Sequence, residues 1–252
     1  MRLVGADRVL AVLAELGRHP GGIALDELAV AVRSPKSTVH RALVSLRKAR
    51  FASRDAHGHY VLGDEILRMA FAHHEARPDH LRVHPVLERL AARHGETAHY
   101  AVLDGRWVVY RSKVDPVVGA VRLTSVVGGR NPAHCTAVGK VLLAHALPDD
   151  RAVREWVGDR PLTTPTGRGP VSVEELCAEL RRTRERGYGV DDQENEAGVN
   201  CLAVPVFLTS PTQASGAVSI SALAYRTPLA VLVDDLPAIL ELVGTGLAPG
   251  PS

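Results

Sequence analysis

The residues best suited to chemistry in the first quarter of the chain are cations and hydroxyl groups that no acid accompanies. No aspartate or glutamate occurs between Glu27 and Asp55, whereas that stretch contains seven lysines and arginines. Residues 1–62 hold ten basic and five acidic residues, although the net charge of the whole chain is only +2. Clustered cations favour contact with nucleic-acid phosphates. Charge alone fits an ordinary solvated surface equally well. The secondary structure that presents these residues must therefore distinguish a nucleic-acid contact from such a surface.

Apolar periodicity places these side chains on the third of three short helices. Apolar residues recur at helical spacing in residues 5–18 and in residues 25–32, and a Pro-Gly-Gly break separates the two segments. Ser34 is a favourable N-cap, and Pro35 suits the first position of a third helix. Two short helices, a tight turn and a third helix are the layout of a helix-turn-helix motif.

The third helix has one apolar face and one face that offers hydrogen-bond donors without a carboxylate. In a helix-turn-helix motif the N-terminal part of such a helix meets base edges in the major groove. The alternative is the solvated face of an ordinary helix. The residues of this segment that we expect to contact DNA are Ser34, Lys36, Ser37, Thr38, His40, Arg41, Ser45 and Lys48.

A β-hairpin is predicted directly after this helix. Residues 51–54 and 59–62 alternate as short strands around a turn that contains glycine. A hairpin in this position is the wing of a winged helix-turn-helix. We expect Arg54 and His57 to contact the DNA backbone or the minor groove, and Tyr60 to pack against the three-helix core.

The stretch SPKSTVHRALVSLRKARFASRDAHGHYVLG resembles the isocitrate-lyase-regulator (IclR) family of bacterial transcription factors. The Pro-Lys-Ser-Thr-Val-His-Arg string, the Arg-Asp pair and the Tyr-x-Leu-Gly end carry this resemblance. It implies an α+β chain with a winged helix-turn-helix in residues 1–62, a linker helix in residues 63–78 and a GAF-like effector-binding domain in residues 79–252.

The linker segment has its own helical pattern over residues 64–77, with an apolar stripe and Pro78 as a stop. The stripe is expected to pack on another chain or on the next domain. The resemblance implies that this helix pairs two DNA-binding units, as two-fold symmetric DNA requires. Four histidines (His73, His74, His80 and His84) could suggest zinc. No convincing further ligand lies nearby and no cysteine has metal-site spacing, so we expect no metal and no cofactor.

The remainder of the chain predicts antiparallel strands flanked by helices, an α+β domain. Asp104-Gly105 is a strong hairpin turn between strands at residues 96–103 and 106–114. The other predicted strands are residues 119–123, 201–208 and 216–221. The other predicted helices are residues 81–94, 136–146, 173–186 and 229–243.

Three segments of this domain extend the resemblance: residues 132–140, residues 186–192 followed by 198–206, and residues 217–221. Family effector sites are lined from these segments. The resemblance therefore implies a pocket at Leu123, Asn131, His134, Ala137, Val138, Asp191, Val199, Cys201, Ser219 and Ser221. His134 fits a core position bonded to backbone equally well.

The predicted pocket residues have compatible chemistry. Ser219 and Ser221 alternate on a strand and so share a face, and Ala137 and Val138 open a helix whose amides can receive a carboxylate. The effector is therefore predicted to be a small organic or aromatic acid. Three departures from the family pattern, Asn200, Ala222 and the loop at residues 208–215, put the ligand type in doubt.

Length and composition favour a two-domain protein of the cytoplasm. The chain has 252 residues, 46% of them hydrophobic, with no apolar run long enough to span a membrane and three widely spaced cysteines. Such cysteines suggest reduced thiols. An enzyme that uses Cys135 or Cys201 as a nucleophile is a competing hypothesis, although no base is placed beside either by sequence. A DNA-binding protein with a non-responsive pocket is another.

Overall fold

The computed structural model describes residues 5–75, 78–116 and 123–247. The chain divides into two compact units, with the boundary between residues 77 and 78. The helix that follows the predicted wing belongs to the first unit. A separate linker segment at residues 63–78 stays a prediction.

The first unit is a three-helix core with a hairpin and a further helix. Its elements are α1 (Gly5–Leu16), α2 (Leu25–Ala31), α3 (Lys36–Lys48), β1 (Ala52–Arg54), β2 (Tyr60–Leu62) and α4 (Asp64–Glu75). Val12, Leu28 and Leu43 are fully buried in its core, and Tyr60 is buried with them. The helix-turn-helix and the hairpin are confirmed, as is the burial of Tyr60.

The start of α3 differs from the prediction by one residue. Pro35, not Ser34, is the N-cap, and its carbonyl accepts from the backbone N–H groups of Thr38 and Val39. The Ser34 hydroxyl instead donates to the Val32 carbonyl at 3.3 Å. Ser34 stays outside α3 because its own backbone N–H donates to the Ala29 carbonyl, which ends the preceding helix α2.

The hairpin is fixed to the core by backbone hydrogen bonds. β1 and β2 are antiparallel, with Ala52 opposite Leu62. Ile23 and Tyr60 exchange both backbone hydrogen bonds, which attaches β2 to the segment before α2. In the turn, one oxygen of the Asp55 carboxylate accepts from the backbone of His57 at 2.9 Å and of His59 at 2.8 Å.

The second unit is an antiparallel sheet with helices on both faces. Its elements are α5 (Pro78–His94), β3 (Thr97–Asp104), β4 (Trp107–Val114), β5 (Arg130–Pro132), a 3₁₀ turn (Ala133–Cys135), α6 (Ala137–Ala146), α7 (Asp150–Val157), α8 (Val173–Arg186), β6 (Gly189–Asp192), β7 (Val199–Val206), β8 (Gly216–Leu223), α9 (Leu229–Asp234) and α10 (Leu236–Leu247). Within the described residues, six strands pair in the order β5-β4-β3-β8-β7-β6. The α+β class is confirmed.

Alternation along the central strands gives the sheet two different faces. Tyr100 of β3 and Ile220 of β8 face α5 and α10 in one apolar core. Ala101 and Ala217 face α6 and α8 in a second core. Side chains that alternate with the first set, such as that of Ser221, therefore point toward the α6 face.

Several boundaries were not predicted. Pro78 begins α5 rather than only ending the preceding helix, and the predicted terminal helix is two helices, α9 and α10. Helix α7 and strands β5 and β6 were missed. Most of the strand predicted at residues 119–123 lies outside the described residues. No helix among the described residues is long and apolar enough to cross a membrane.

The histidine-rich stretch supplies no metal cluster in the described part of the chain. Nδ1 of His84 lies 3.2 Å from the Ser112 hydroxyl, which gives this ring a structural partner. The side chains of His73, His74 and His80 lie outside the described residues.

Candidate functional site

The donor face of α3 is available to solvent. Lys36, Ser37, His40, Arg41, Ser45 and Lys48 are exposed, and Ser34 and Thr38 are partly exposed. Three of these side chains have an internal partner: Lys36 pairs with the Asp26 carboxylate, the Ser45 hydroxyl donates to the Arg41 carbonyl at 3.3 Å, and the Ser34 hydroxyl donates to the Val32 carbonyl. Ser37, His40, Arg41 and Lys48 are the exposed donors of this face whose side chains have no hydrogen bond or ion pair within the described residues. Their contact with DNA stays a prediction.

Arg54 is held at the turn of the hairpin. Its Nε donates to the Gly58 carbonyl at 2.8 Å, and its guanidinium lies 5.6 Å from the centre of the Tyr60 ring. The side chain is still exposed, as is His57 in the same turn. The fold thus brings both predicted hairpin contacts to one exposed loop.

Nine of the ten residues predicted for the effector pocket line one cavity in the second unit. They are Leu123, Asn131, Ala137, Val138, Asp191, Val199, Cys201, Ser219 and Ser221. Residues far apart in sequence meet there because β7 and β8 pair, with Cys201 opposite Ser221.

Six further lining residues were missed: His99, Tyr110, Ser125, Thr136, Asn195 and Glu196. The ladder between β3 and β8 places His99 directly opposite Ser219. Strand pairing, and not proximity in sequence, brings His99 next to the predicted pocket residues. The available sequence signal was a polar residue that alternates with apolar neighbours on β3.

The N-terminus of α6 forms one wall of the pocket. Thr136 is the N-cap, and its hydroxyl accepts from the Gly139 N–H at 3.2 Å. Ala137 and Val138 occupy the first turn, where backbone N–H groups have no partner within the helix. Such amides, at the positive end of the helix dipole, can hold an anion.

A hydrogen-bonded chain of side chains lies across the pocket floor. The Cys201 thiol donates to the Ser221 hydroxyl at 3.1 Å, and that hydroxyl lies 3.3 Å from Nδ1 of His99. Nε2 of His99 lies 2.7 Å from the Ser125 hydroxyl. Burial lowers the pKa of His99 to about 3, so the ring is neutral at physiological pH.

Asp191 is the lining carboxylate whose charge state burial controls. Its Oδ1 accepts from the backbone N–H groups of Glu194 at 2.7 Å and Asn195 at 3.3 Å. Burial nevertheless raises the pKa of Asp191 to about 7. No lysine or arginine occurs among the described residues of the lining. An anionic ligand would therefore depend on the α6 amides and on a neutral Asp191.

The pocket is narrow. The cavity volume is about 20 Å³, which is room for about one water molecule. Pockets that bind small molecules generally measure about 300–1,000 Å³. The walls described above must move apart before an aromatic acid can enter.

His134 is the predicted pocket residue that the structure places elsewhere. It is 5% exposed within the 3₁₀ turn and does not line the cavity. Burial and the nearby Arg106 lower the pKa of His134, while a hydrogen bond with the Thr163 backbone opposes them. The 3₁₀ turn places the ring near these residues. Of the two interpretations that the sequence allowed, the structure fits a buried core residue and not a pocket residue.

Two departures from the family pattern lie off the pocket. Ala222 is buried in the core against α5 and α10, on the opposite face of the sheet. Asn200 is buried outside the lining, where its amide lies between the Asp192 carboxylate and the Leu229 N–H. Neither substitution changes a group that faces the cavity.

The cysteines lack the features of a nucleophile. Burial raises the pKa of Cys135 to about 12, and its thiol points at the Pro132 carbonyl. Burial also raises the pKa of Cys201 well above its usual value. Both residues are therefore thiols at neutral pH, whereas a thiolate is the reactive form.

Two family models match the chain and together cover most of it. The IclR helix-turn-helix domain matches residues 5–56. The C-terminal domain of bacterial IclR transcriptional regulators matches residues 80–241. The second match contains every residue that lines the pocket.

Whole-chain relatives agree with these matches. The chain is 32% identical over 249 residues to the HTH-type transcriptional regulator BhcR of Paracoccus denitrificans, covering 96% of this chain and 87% of the relative. The crystal structure of Thermotoga maritima IclR superposes with a TM-score of 0.73 at 25% identity, covering 95% of this chain and 94% of that chain. An IclR homologue from Microbacterium hydrocarbonoxydans, solved with 4-hydroxybenzoate, has the same fold, with a TM-score of 0.75 at 22% identity and coverage of 95% and 98%.

Proposed function

Because the chain belongs to the IclR family of bacterial transcriptional regulators, we propose that it binds a palindromic operator as a dimer or a pair of dimers, with an affinity that a small organic or aromatic acid modulates. Members of the family are DNA-binding regulators with an effector-binding C-terminal domain and are not enzymes. The observation that carries the proposal is the convergence of nine of the ten predicted pocket residues on one cavity at the N-terminus of α6.

Dimer formation is supported by the surface of α4. Leu67, Met69 and Phe71 are large apolar side chains with 57%, 49% and 61% of their surfaces exposed. Exposed apolar side chains grouped on one helix often mark a protein interface. A second copy of the chain would cover them and bring two α3 helices to the two halves of a palindrome.

An acid effector is supported by the α6 amides and by a homologue of the same fold that was solved with 4-hydroxybenzoate. Since the cavity must widen to admit such a ligand, binding favours conformations with separated walls. A ligand alters DNA affinity only if it binds one arrangement of the DNA-binding units better than another. A pocket that does not respond to any ligand is the remaining alternative.

Arg41→Ala is expected to weaken binding to the operator by about five- to 150-fold, the loss of one good side-chain contact to a base. The measurement is fluorescence anisotropy on duplexes that the wild-type protein enriches from a randomised pool. Arg151→Ala, which removes an exposed cation of the second unit, is the matched control. Wild-type affinity in the Arg41 variant would contradict a role for this residue. An equal loss on all sequences would assign Arg41 to a phosphate instead.

Acid binding is expected to weaken as pH rises through about 7. Asp191 is neutral below its pKa and becomes anionic above it, and the new charge repels a carboxylate held at α6. The measurement is a thermal-shift titration with small carboxylic acids, 4-hydroxybenzoate among them, between pH 6 and pH 8. Asp191→Asn should abolish the pH dependence.

The control for this experiment is Asp192→Asn, which alters the exposed neighbouring carboxylate and should leave the pH dependence unchanged. A response of equal slope in the Asp191→Asn protein would overturn the role of Asp191. If no acid changes either the melting temperature or the DNA affinity, the non-responsive alternative is favoured.

A further inference from the structure

A basic cleft runs between the end of α3, strand β1 and the start of α4. We define it by its five cations, Arg47, Lys48, Arg50, Arg54 and Arg68. Its only acids among the described lining residues are Asp64 and Glu65. The cleft is open to solvent, and this excess of cations suits an anionic ligand with several charges.

Close backbone contact fixes the two ends of the cleft. Arg50 follows α3 in a left-handed conformation, with φ of 60°, and its carbonyl accepts from the Glu65 N–H at 3.4 Å. A Cβ at Gly63 would lie 2.1 Å from that same carbonyl oxygen, so only glycine permits this approach. The start of α4 is thereby held against the end of α3.

Glu65 partly neutralises the cleft from inside. Arg68 donates to both oxygens of its carboxylate, and Arg50 adds a longer contact at 3.4 Å. Hydrogen bonds from Arg68 lower the pKa of Glu65, so the carboxylate is ionised at neutral pH. A forked contact of this kind is the geometry in which arginine also binds phosphate.

We propose that this cleft binds a phosphodiester of the DNA backbone, and that Glu65 occupies the same arginines in the free protein and competes with that phosphate. The proposal rests on the proposed function, DNA binding through α3. Lys48 and Arg54, on the recognition helix and the wing, line the cleft together. The cleft therefore adjoins both elements that are proposed to contact DNA.

The test measures the binding of the full chain to a 25-base-pair duplex of arbitrary sequence, by fluorescence anisotropy at several salt concentrations. Each phosphate contact contributes about 0.9 to the slope of log K against log salt concentration. Arg50→Ala and Arg68→Ala should each lower that slope by about this amount. Glu65→Gln should tighten binding by about two- to fivefold, because it frees both arginines from an exposed ion pair.

The matched controls are Arg151→Ala and Glu155→Gln. These two residues form an exposed ion pair in the second unit, so their variants change the net charge equally without touching the cleft. Slopes and affinities that equal those of the controls would overturn the proposal. If Arg41→Ala still weakens binding in that case, the proposed function survives and the cleft alone is rejected. If the wild-type protein binds no duplex, the proposed function itself fails.

Discussion

Lys140→Ala is expected to lower the free energy of unfolding of the second unit by about 3–5 kcal/mol, the usual effect of breaking a buried ion pair. Lys140 is 1% exposed although it carries an ammonium group. Its Nζ donates to the Glu194 carboxylate at 2.6 Å and to the Val190 carbonyl at 2.9 Å. Removing the cation leaves the Glu194 carboxylate buried without a counter-charge, and this causes most of the loss.

A second carboxylate makes the ammonium group part of a network. Glu179 lies 3.6 Å from Nζ of Lys140 and also pairs with Arg182 and Arg186. Burial would raise the pKa of Glu179, but these three cations hold it below its usual value. Glu179 retains two partners in the Lys140→Ala protein. The loss of stability therefore arises mainly at Glu194, which loses its cation.

Urea unfolding followed by circular dichroism measures this prediction. The control is Arg154→Ala, which breaks an exposed pair with Glu174 and should change stability by no more than about 1 kcal/mol. The double variant Lys140→Met with Glu194→Gln removes both charges and should recover much of the loss. An effect of Lys140→Ala no larger than that of the control would contradict the buried network.

The same substitution should also disturb the effector pocket. Val190 and Glu194, the two hydrogen-bond acceptors of Lys140, lie before and after Asp191 in sequence, and the Glu194 N–H donates to the Asp191 carboxylate. Lys140 therefore positions the end of β6, which presents Asp191, although it does not line the cavity. The sequence shows this lysine beside a glycine but without the glycine spacing or the Ser/Thr of a phosphate-binding loop, and nothing local reveals its burial.

Elements with strong local signals were predictable. Helix α8 begins and ends at the predicted residues because Ser172 and Glu175 form a capping box and Gly187 ends the helix in a left-handed conformation. Strands β5 and β6 have three and four residues and exist only because a neighbouring strand pairs with them. Pairing of that kind depends on residues distant in sequence, so short strands escape a local pattern.

In the candidate site, too, residues within local motifs were predicted and residues placed by strand pairing were missed. Motif residues such as Asp191 and Ser219 were predicted because the resemblance covers their segments. His99 was missed because its place opposite Ser219 is set by the register of β3 on β8. His134 was included because it lies within the motif at residues 132–140, but it is buried in the 3₁₀ turn and does not line the cavity. The spacing of residues in the sequence does not predict whether a side chain in such a turn points into the cavity or into the core.

Gly139→Ala is the second substitution with a large expected effect, because α6 packs backbone to backbone on the turn before it. A Cβ at Gly139 would lie 2.1 Å from the Ala133 carbonyl oxygen and 2.5 Å from the Ala133 Cα. Neither atom can move without displacing the 3₁₀ turn that leads into the Thr136 cap. The expected loss of stability is about 3 kcal/mol or more, at the upper end of what overpacking causes.

Helix propensity predicts the opposite sign, which makes the experiment decisive. In an open helix position, alanine stabilises a helix by about 1 kcal/mol relative to glycine. Gly244 of α10 is such a position, because a Cβ there would meet nothing within 4 Å. Gly244→Ala should therefore leave the unfolding midpoint in urea unchanged or raise it, while Gly139→Ala lowers it. Equal shifts in the two proteins would show that the α6 N-terminus tolerates displacement, and the amide wall proposed to hold the effector carboxylate would then lack the rigidity that its role requires.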